Sequence, residues 1–139
     1  MIAGRPPPTR DYLSGMTPDL YSIAIFVTDI DRAVTFYEKT LGLPLRAKGS
    51  FGAEFFPEGP RLGVHPAQHP NAKGMVGRET GVTLHIAEGL LDYCSALMDA
   101  GVTFVQEPTE QSWGIMAMIA DPDGNRIALW QPPAAGHSH

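Results

Sequence analysis

The sequence predicts an α+β domain made of two β-α-β-β-β modules. Three observations lead to this prediction. An alternating strand followed by a capped helix occupies residues 21–45, the same pattern returns 59 residues later with Ile86 in the place of Val27, and three strand-like segments follow each copy. Recurrence of strand, cap, helix and terminal glycine in the same order indicates an internal repeat and not two unrelated units.

The first module begins with a strand that has one apolar face. Ile23, Ile25 and Val27 alternate with Ser22, Ala24 and Phe26, which is typical of a strand buried on one side. Asp29 or Asp31 then suits the N-cap of a helix, because a carboxylate accepts hydrogen bonds from the free backbone N–H groups there. The helix has an apolar stripe and a terminal glycine suited to the left-handed position, namely Val34, Tyr37, Leu41 and Gly42.

The second module repeats this pattern over residues 81–104. Strand-like segments follow each helix, at about 44–48, 51–56 and 61–65 in the first copy and about 102–105, 114–120 and 125–130 in the second. We therefore expect one domain over 19–133, with irregular tails at 1–18 and 134–139. Within it, the first module covers about 20–66, a connector about 66–80 and the second module about 81–133.

The composition argues against several classes of protein, namely nucleic-acid-binding, membrane and disulfide-rich proteins. A chain of 139 residues with 43% hydrophobic residues can bury one core. The net charge of −5 and the lack of a basic cluster argue against a nucleic-acid partner. No apolar run approaches a membrane span and none resembles a signal peptide, so we expect no membrane partner and a cytoplasmic location. The single cysteine, Cys94, excludes a disulfide framework and is expected in the core.

Strand alternation assigns one face of each predicted sheet to the helix and the other to a cavity between the sheets. The residues predicted on the cavity side are Ser22, Ala24, Phe26, Arg61, Gly63 and His65 from the first module, and Gly81, Thr83, His85, Arg126, Ala128 and Trp130 from the second.

The segments "VTDIDRAVTFYEKTLGL" and "WGIMAMIADPDGNRIALWQPP" resemble the vicinal oxygen chelate superfamily. That group contains glyoxalase I, extradiol dioxygenases, fosfomycin-resistance enzymes, methylmalonyl-CoA epimerase and bleomycin-resistance proteins. The resemblance covers about residues 20–133. It implies the glyoxalase/bleomycin resistance fold, in which two βαβββ modules form incomplete β-barrels around a cavity, commonly in a homodimer.

The resemblance also places four metal-ligand positions, which are His or Glu in the metal-dependent members. In this sequence they fall on Ser22, Gly63, Gly81 and Ala128. Glycine and alanine have no side-chain donor atom, and a serine hydroxyl is a poor ligand for a transition metal. We therefore expect no metal, no other cofactor and no catalytic residue of the family type, as in the metal-free, bleomycin-resistance-like members.

Eight residues of the cavity side are predicted to bind a ligand, namely Ser22, Phe26, Arg61, His65, Thr83, His85, Arg126 and Trp130. Their aromatic rings either stack on a flat ligand or simply fill the cavity. Arg61 or Arg126 could hold a carboxylate or phenolate of that ligand. The aspartates and glycine of the turn at 121–124 are expected to serve backbone conformation and not chemistry.

The leading hypothesis is a metal-free small-molecule-binding protein that sequesters an aromatic or antibiotic-like ligand. One alternative is a glyoxalase-like lyase, isomerase or dioxygenase, with metal ligands displaced to His65, His85 and Glu54 or with a histidine acid–base. Another is a structural or regulatory domain whose own side chains fill the cavity. That last hypothesis predicts no cavity beyond ~100 Å³, well below a normal ligand pocket.

Overall fold

The computed structural model describes residues 17–134. The tails predicted at 1–18 and 134–139 therefore lie mostly outside the described residues. In the first module the elements are β1 (Ser22–Val27), α1 (Ile30–Val34, continuing as a π-helical segment over Thr35–Thr40), β2 (Leu45–Gly49), β3 (Gly52–Phe55) and β4 (Arg61–Pro66). A short helix, α2 (Pro70–Lys73), follows in the connector. In the second module they are β5 (Glu79–His85), α3 (Leu90–Asp99), β6 (Thr103–Gln111), β7 (Gly114–Ala120) and β8 (Arg126–Gln131).

Each module forms its own four-stranded mixed sheet. The strand order is β1-β4-β3-β2 in the first and β5-β8-β7-β6 in the second. The first and last strands of each module are parallel, and the remaining pairs are antiparallel. The two modules therefore have the same topology and neither sheet closes on itself, which confirms the predicted α+β fold of two incomplete barrels. No helix within residues 17–134 is long and apolar enough to cross a membrane.

Helix α1 is capped as the sequence predicts. Asp29 is the N-cap, and its carboxylate accepts a hydrogen bond from the backbone N–H of Arg32 at 3.1 Å. The last turn widens, because the backbone N–H of Leu41 donates to the carbonyl of Phe36, five residues earlier, at 2.9 Å. Gly42 follows with a φ of +79°, the left-handed conformation expected after the helix.

Helix α3 obtains its cap from another element. Gly89 precedes the helix with no side-chain cap of its own, and the backbone N–H of Leu90 donates to the side-chain oxygen of Gln131 on β8 at 2.9 Å. The repeat places Glu88 at the position of Asp29, but this glutamate does not act as the cap. The equivalent hydrogen bond comes from the neighbouring strand.

A single apolar cluster includes both modules. Ile25 and Val27 on β1, and Ile127 and Leu129 on β8, are at most 1% exposed and lie on the helix-covered side of their sheets. Cys94 on α3 is 1% exposed within the same cluster, and burial raises the pKa of its thiol. The predicted core role of Cys94 is confirmed.

The turn Asp121–Asn125, which we name the inter-module turn, contains the two buried polar residues of the described core. The Asp121 carboxylate accepts four hydrogen bonds, three from within the turn at 2.9 Å and one from the Tyr37 hydroxyl of α1 at 2.7 Å. Burial, and then the nearby Asp121 charge, raise the pKa of Tyr37 far above its usual value. The hydroxyl is therefore a proton donor to this carboxylate.

The other side chains of the inter-module turn form hydrogen bonds to β1, to the residue that follows it and to the connector. The Asn125 side-chain amide donates to the carbonyl of Phe26 at 3.0 Å, and its oxygen accepts from the backbone N–H of Gly77 at 2.7 Å. Asp123 accepts from the hydroxyl and the backbone N–H of Thr28, at 2.6 and 3.0 Å. The turn was expected to serve backbone conformation. The structure shows in addition that its side chains join the two modules.

We predict that Asn125→Ala destabilises the protein by about 2–4 kcal/mol, because the carbonyl of Phe26 and the backbone N–H of Gly77 lose their partner and the Asp121 carboxylate loses one of its four donors. Urea unfolding followed by circular dichroism measures the change. Asn71→Ala is the matched control, since Asn71 is exposed, and it should change stability by less than about 0.5 kcal/mol. Equal effects of the two substitutions would contradict the role assigned to the turn.

Candidate functional site

We call the face of each sheet that is not covered by its helix the open face. On the first sheet, this face carries the side chains that alternation predicts there. Across the β1–β4 pair, Ser22 lies opposite Arg61, and Phe26 lies opposite His65. Between these two pairs lie two small residues, Ala24 and Gly63. Ile25 and Val27 of β1 are on the other side, within the apolar cluster. The centre of this open face therefore has little side-chain bulk, with an arginine at one end and aromatic rings at the other.

The open face of the second sheet has a similar layout with one break. Thr83 lies opposite Ala128, and His85 lies opposite Trp130, with ring centroids 5.5 Å apart. The expected alternation does not extend to Gly81. The register shifts between Glu79 and Thr83, and Gly81 adopts a φ of +77° within this irregular segment. A bulge of this kind interrupts the two-residue period on which the prediction for Gly81 depended.

The imidazole of His65 is held over Gly63. Its Nδ1 lies 2.9 Å from the carbonyl oxygen of Phe51, and because a carbonyl only accepts, Nδ1 must carry the hydrogen. A Cβ at position 63 would lie 2.5 Å from Nε2 of the same ring. The imidazole thus occupies the space that a side chain at position 63 would need. Its Nε2 keeps a free lone pair beside the open face.

The residues at the family's metal-ligand positions do not fit a metal ion. Gly63, Gly81 and Ala128 have no side-chain donor, and Ser22 supplies only a hydroxyl. A displaced site finds no support either, because Glu54 is paired with Arg61 at 3.3 Å. Within residues 17–134, no group of three or more His, Cys, Asp or Glu side chains is placed to hold an ion.

A groove of about 420 Å³, which we name the inter-module groove, lies between the two modules. Its lining is mainly apolar and comes from both modules: Ile23, Leu41, Leu43, Phe56, Pro60 and Leu62 from the first, and Val82, Leu84, Ile86 and Tyr93 from the second, together with Arg61, Thr83 and His85. The Tyr93 hydroxyl donates to the carbonyl of Leu41 at 2.7 Å across the two modules. Burial raises the pKa of Tyr93 to about 12, so this donor stays protonated at neutral pH.

Arg61 is fixed at the groove by two side chains. Its guanidinium carbon lies 4.3 Å from the centre of the Tyr21 ring, and its Nη1 lies 3.3 Å from the Glu54 carboxylate. Its Nε is buried without a hydrogen-bond partner, the only such side-chain atom in the described part of the chain. Buried donors are normally satisfied.

The eight residues predicted to bind a ligand are distributed over several surfaces. Arg61, Thr83 and His85 line the inter-module groove. Trp130 lines a separate cleft of about 430 Å³ beside Trp113, whose carbonyl accepts the Trp130 indole N–H at 2.8 Å. The others lie along the open faces: Ser22, Phe26 and His65 on the first sheet and Arg126 on the second.

The apolar lining of the groove is absent from the sequence prediction. Residues such as Ile23 and Leu84 belong to the apolar side of β1 and β5, and alternation assigns that side to the helix. Both strands lie at the edge of their sheets, so that their apolar side chains reach beyond the helix into the space between the modules. Strand pairing could have predicted this apolar lining, because the first strand of each module has a hydrogen-bonded neighbour on one side only and is therefore an edge strand.

The fold and the groove define a class of two-module proteins with an apolar cavity between the modules. Residues 20–129 match the model of the Glyoxalase/Bleomycin resistance protein/Dioxygenase superfamily, and the chain belongs to that superfamily. The predicted family is thereby confirmed.

Several solved structures are similar. TnmS3, an antibiotic binding protein from Streptomyces sp. CB03234, is 30% identical with a TM-score of 0.70, and the match covers 85% of this chain and 98% of TnmS3. UcmS2 is 25% identical with a TM-score of 0.70, over 83% of this chain and 98% of UcmS2. A superfamily member from Sphaerobacter thermophilus shares the fold at 24% identity and a TM-score of 0.69, over 84% and 98% of the two chains. No curated protein matches.

We predict that neutral His65 carries its hydrogen on Nδ1, because the Phe51 carbonyl requires a donor there. Long-range ¹H–¹⁵N NMR of the imidazoles at mildly alkaline pH distinguishes the two tautomers. Gly63→Ala should move the His65 ring and perturb its signals, whereas those of His85, which lies on the other sheet, should not change. A hydrogen on Nε2 in the wild-type protein would contradict this geometry.

Proposed function

We propose that this protein is a metal-free small-molecule-binding protein that sequesters an aromatic or antibiotic-like ligand. The observation that carries the proposal is the inter-module groove, at about 420 Å³. Ligand pockets are commonly about 300–1,000 Å³, largely apolar, with a few polar groups that orient the ligand. The groove has this character, since its apolar walls are interrupted by Arg61, Thr83 and His85.

The similarity to TnmS3 supports the same class of function, because TnmS3 is an antibiotic binding protein and is 30% identical over most of both chains. Sequestration needs a shaped cavity and no reactive group, so the lack of donor atoms at Gly63 and Ala128 does not impair it. The size of the groove argues against the hypothesis that the chain fills its own cavity, which predicts no space beyond ~100 Å³.

We predict saturable binding of N-phenyl-1-naphthylamine, a neutral aromatic probe whose fluorescence rises in apolar surroundings. Ile23→Gln should weaken binding about tenfold, or about 1.4 kcal/mol, because Ile23 lines the groove. Leu91→Gln is the matched control, since Leu91 is 57% exposed on α3 and lies outside the groove lining. Binding that is absent, or unaffected by Ile23→Gln, would refute the groove as the ligand site.

The competing proposal is that the protein is an enzyme. It would be either a glyoxalase-like lyase, isomerase or dioxygenase with displaced metal ligands, or an acid–base catalyst that needs no metal. One observation favours it: the Nε2 lone pair of His65 is free beside the open face. A histidine with a free lone pair can act as a base or a metal ligand.

Calorimetric titration with Zn²⁺, Ni²⁺, Mn²⁺ and Fe²⁺ separates the two proposals. The titration should use the His137→Ala, His139→Ala double variant, which lacks the two terminal histidines that could bind metal adventitiously. We expect no stoichiometric binding. Stoichiometric binding that disappears in both His65→Ala and His85→Ala would overturn the metal-free proposal in favour of the enzyme.

We also propose a cytoplasmic homodimer, as the family resemblance implies. The open sheet faces that carry Ser22, Phe26, His65, Arg126 and Trp130 are then the surfaces on which a second chain would complete further ligand contacts. Support comes from the exposed apolar side chains at the start of β1, where Leu20 and Tyr21 are 61% and 66% exposed. Sedimentation velocity of the full chain determines the oligomeric state.

A further inference from the structure

We infer that the ligand of the inter-module groove carries an oxyanion, a carboxylate or a phenolate, on its aromatic body, and that Arg61 recognises this group. The inference rests on the function proposed above. It adds to that proposal the charge of the ligand and the side chain that selects for it.

The lining of the groove contains one arginine, no lysine and no carboxylate. The other polar groups of the lining are Thr83, His85 and the Tyr93 hydroxyl, and this hydroxyl is already used by the carbonyl of Leu41. A single fixed cation beside apolar walls attracts a ligand of opposite charge more strongly than the same cation would in open water. The groove therefore favours an anionic group at the end where Arg61 lies.

The Arg61 side chain is already held in place before any ligand binds. Its backbone N–H donates to the carbonyl of Tyr21 at 3.1 Å, and the Tyr21 ring lies against its guanidinium. Glu54 holds Nη1 from the adjacent strand β3. A group that is fixed in this way loses little conformational entropy on binding, which favours its use as a recognition residue.

The guanidinium has unused hydrogen-bonding capacity. It has five N–H donors, and its one hydrogen-bonded partner among residues 17–134 is Glu54, through Nη1. The buried Nε has none. Arginine binds oxyanions strongly through its N–H groups, and a carboxylate or phenolate supplies an acceptor for the Nη donors that Glu54 leaves unused. An ammonium group on the ligand would supply none and would be repelled.

Two opposing charges do not alter this expectation. Glu54 contacts Nη1 alone and lies outside the lining of the groove, so the second Nη group remains available. The net charge of −5 is distributed over the whole chain, and exposed charges are screened beyond roughly 8 Å at physiological ionic strength. Glu54 offsets part of the Arg61 charge, so the preference for an oxyanion rests on the unpaired N–H donors of Arg61, to which an anionic oxygen binds more strongly than a neutral one.

The test compares three naphthalene probes of similar size, namely 1-naphthoate, 1-naphthalenemethanol and 1-naphthylmethylammonium. Their affinities for the full chain are measured by displacement of N-phenyl-1-naphthylamine. We expect 1-naphthoate to bind at least about tenfold more tightly than the alcohol, and the ammonium compound to bind most weakly.

Arg61→Met should remove the preference for the anion, while Arg61→Lys, which retains the charge but not the planar guanidinium donors, should keep only part of it. Arg78→Met is the matched control. Arg78 is an exposed arginine of the connector that lies outside the lining of the groove, so this variant should retain the full preference. Unchanged urea midpoints show that the variants remain folded.

The possible failures are distinguishable. Equal affinities for the three probes, tightest binding of the ammonium compound, or a preference that survives Arg61→Met would overturn the role of Arg61. The proposed function would then still stand if Ile23→Gln weakens the neutral probe. Failure of the neutral probe and of all three naphthalenes to bind would overturn both the inference and the proposed function.

Discussion

The buried hydrogen bonds of the inter-module turn hold the two modules in one arrangement, and the groove depends on that arrangement. The sheets share no strand pair in the described part of the chain, so backbone pairing does not align them. Apolar packing alone is non-directional. The Asp121 carboxylate is buried, and no cation of residues 17–134 forms an ion pair with it. Its burial is tolerated because four donors surround it. One of those donors, Tyr37, belongs to the other module, so the same hydrogen bonds that stabilise the charge also fix the position of the first module against the second.

The local part of the fold was predictable because its signals are local. Alternating apolar residues define β1, and the Asp29 cap and Gly42 define the ends of the first helix, all within a short stretch of chain. The contacts that place the modules are not local. Tyr37 and Asp121 are 84 residues apart in sequence, and Thr28 and Asp123 are 95 apart. Composition and periodicity carry no information about such pairs, so the inter-module groove and its apolar lining could not be derived from them.

Within the site, the sequence located side chains where strands are regular and failed where they are not. The placement of Phe26 and His65 on the same face follows from period-two alternation in two strands, and the structure shows that they lie opposite each other. Gly81 lies in an irregular segment, and its positive φ allows the chain to bulge there, a conformation that other residues rarely adopt. Gly63 has a different reason for its small size, because the His65 ring lies where its side chain would be. Two glycines at the family's metal-ligand positions therefore lack side chains for unrelated physical reasons.

A comparison of the two modules explains why the groove has only one fixed cation. Arg61 and Arg126 occupy equivalent positions, each at the start of the last strand of its module, but their surroundings differ. Tyr21 and Glu54 hold Arg61 beside the groove, whereas Arg126 is exposed and follows directly after the inter-module turn. The turn holds the start of β8 close to β1 and the connector, and Arg126 lies outside the lining of the groove. Two modules of the same topology thus enclose an asymmetric cavity, with a charge at one side and apolar walls elsewhere, and such asymmetry lets a cavity orient a ligand as well as retain it.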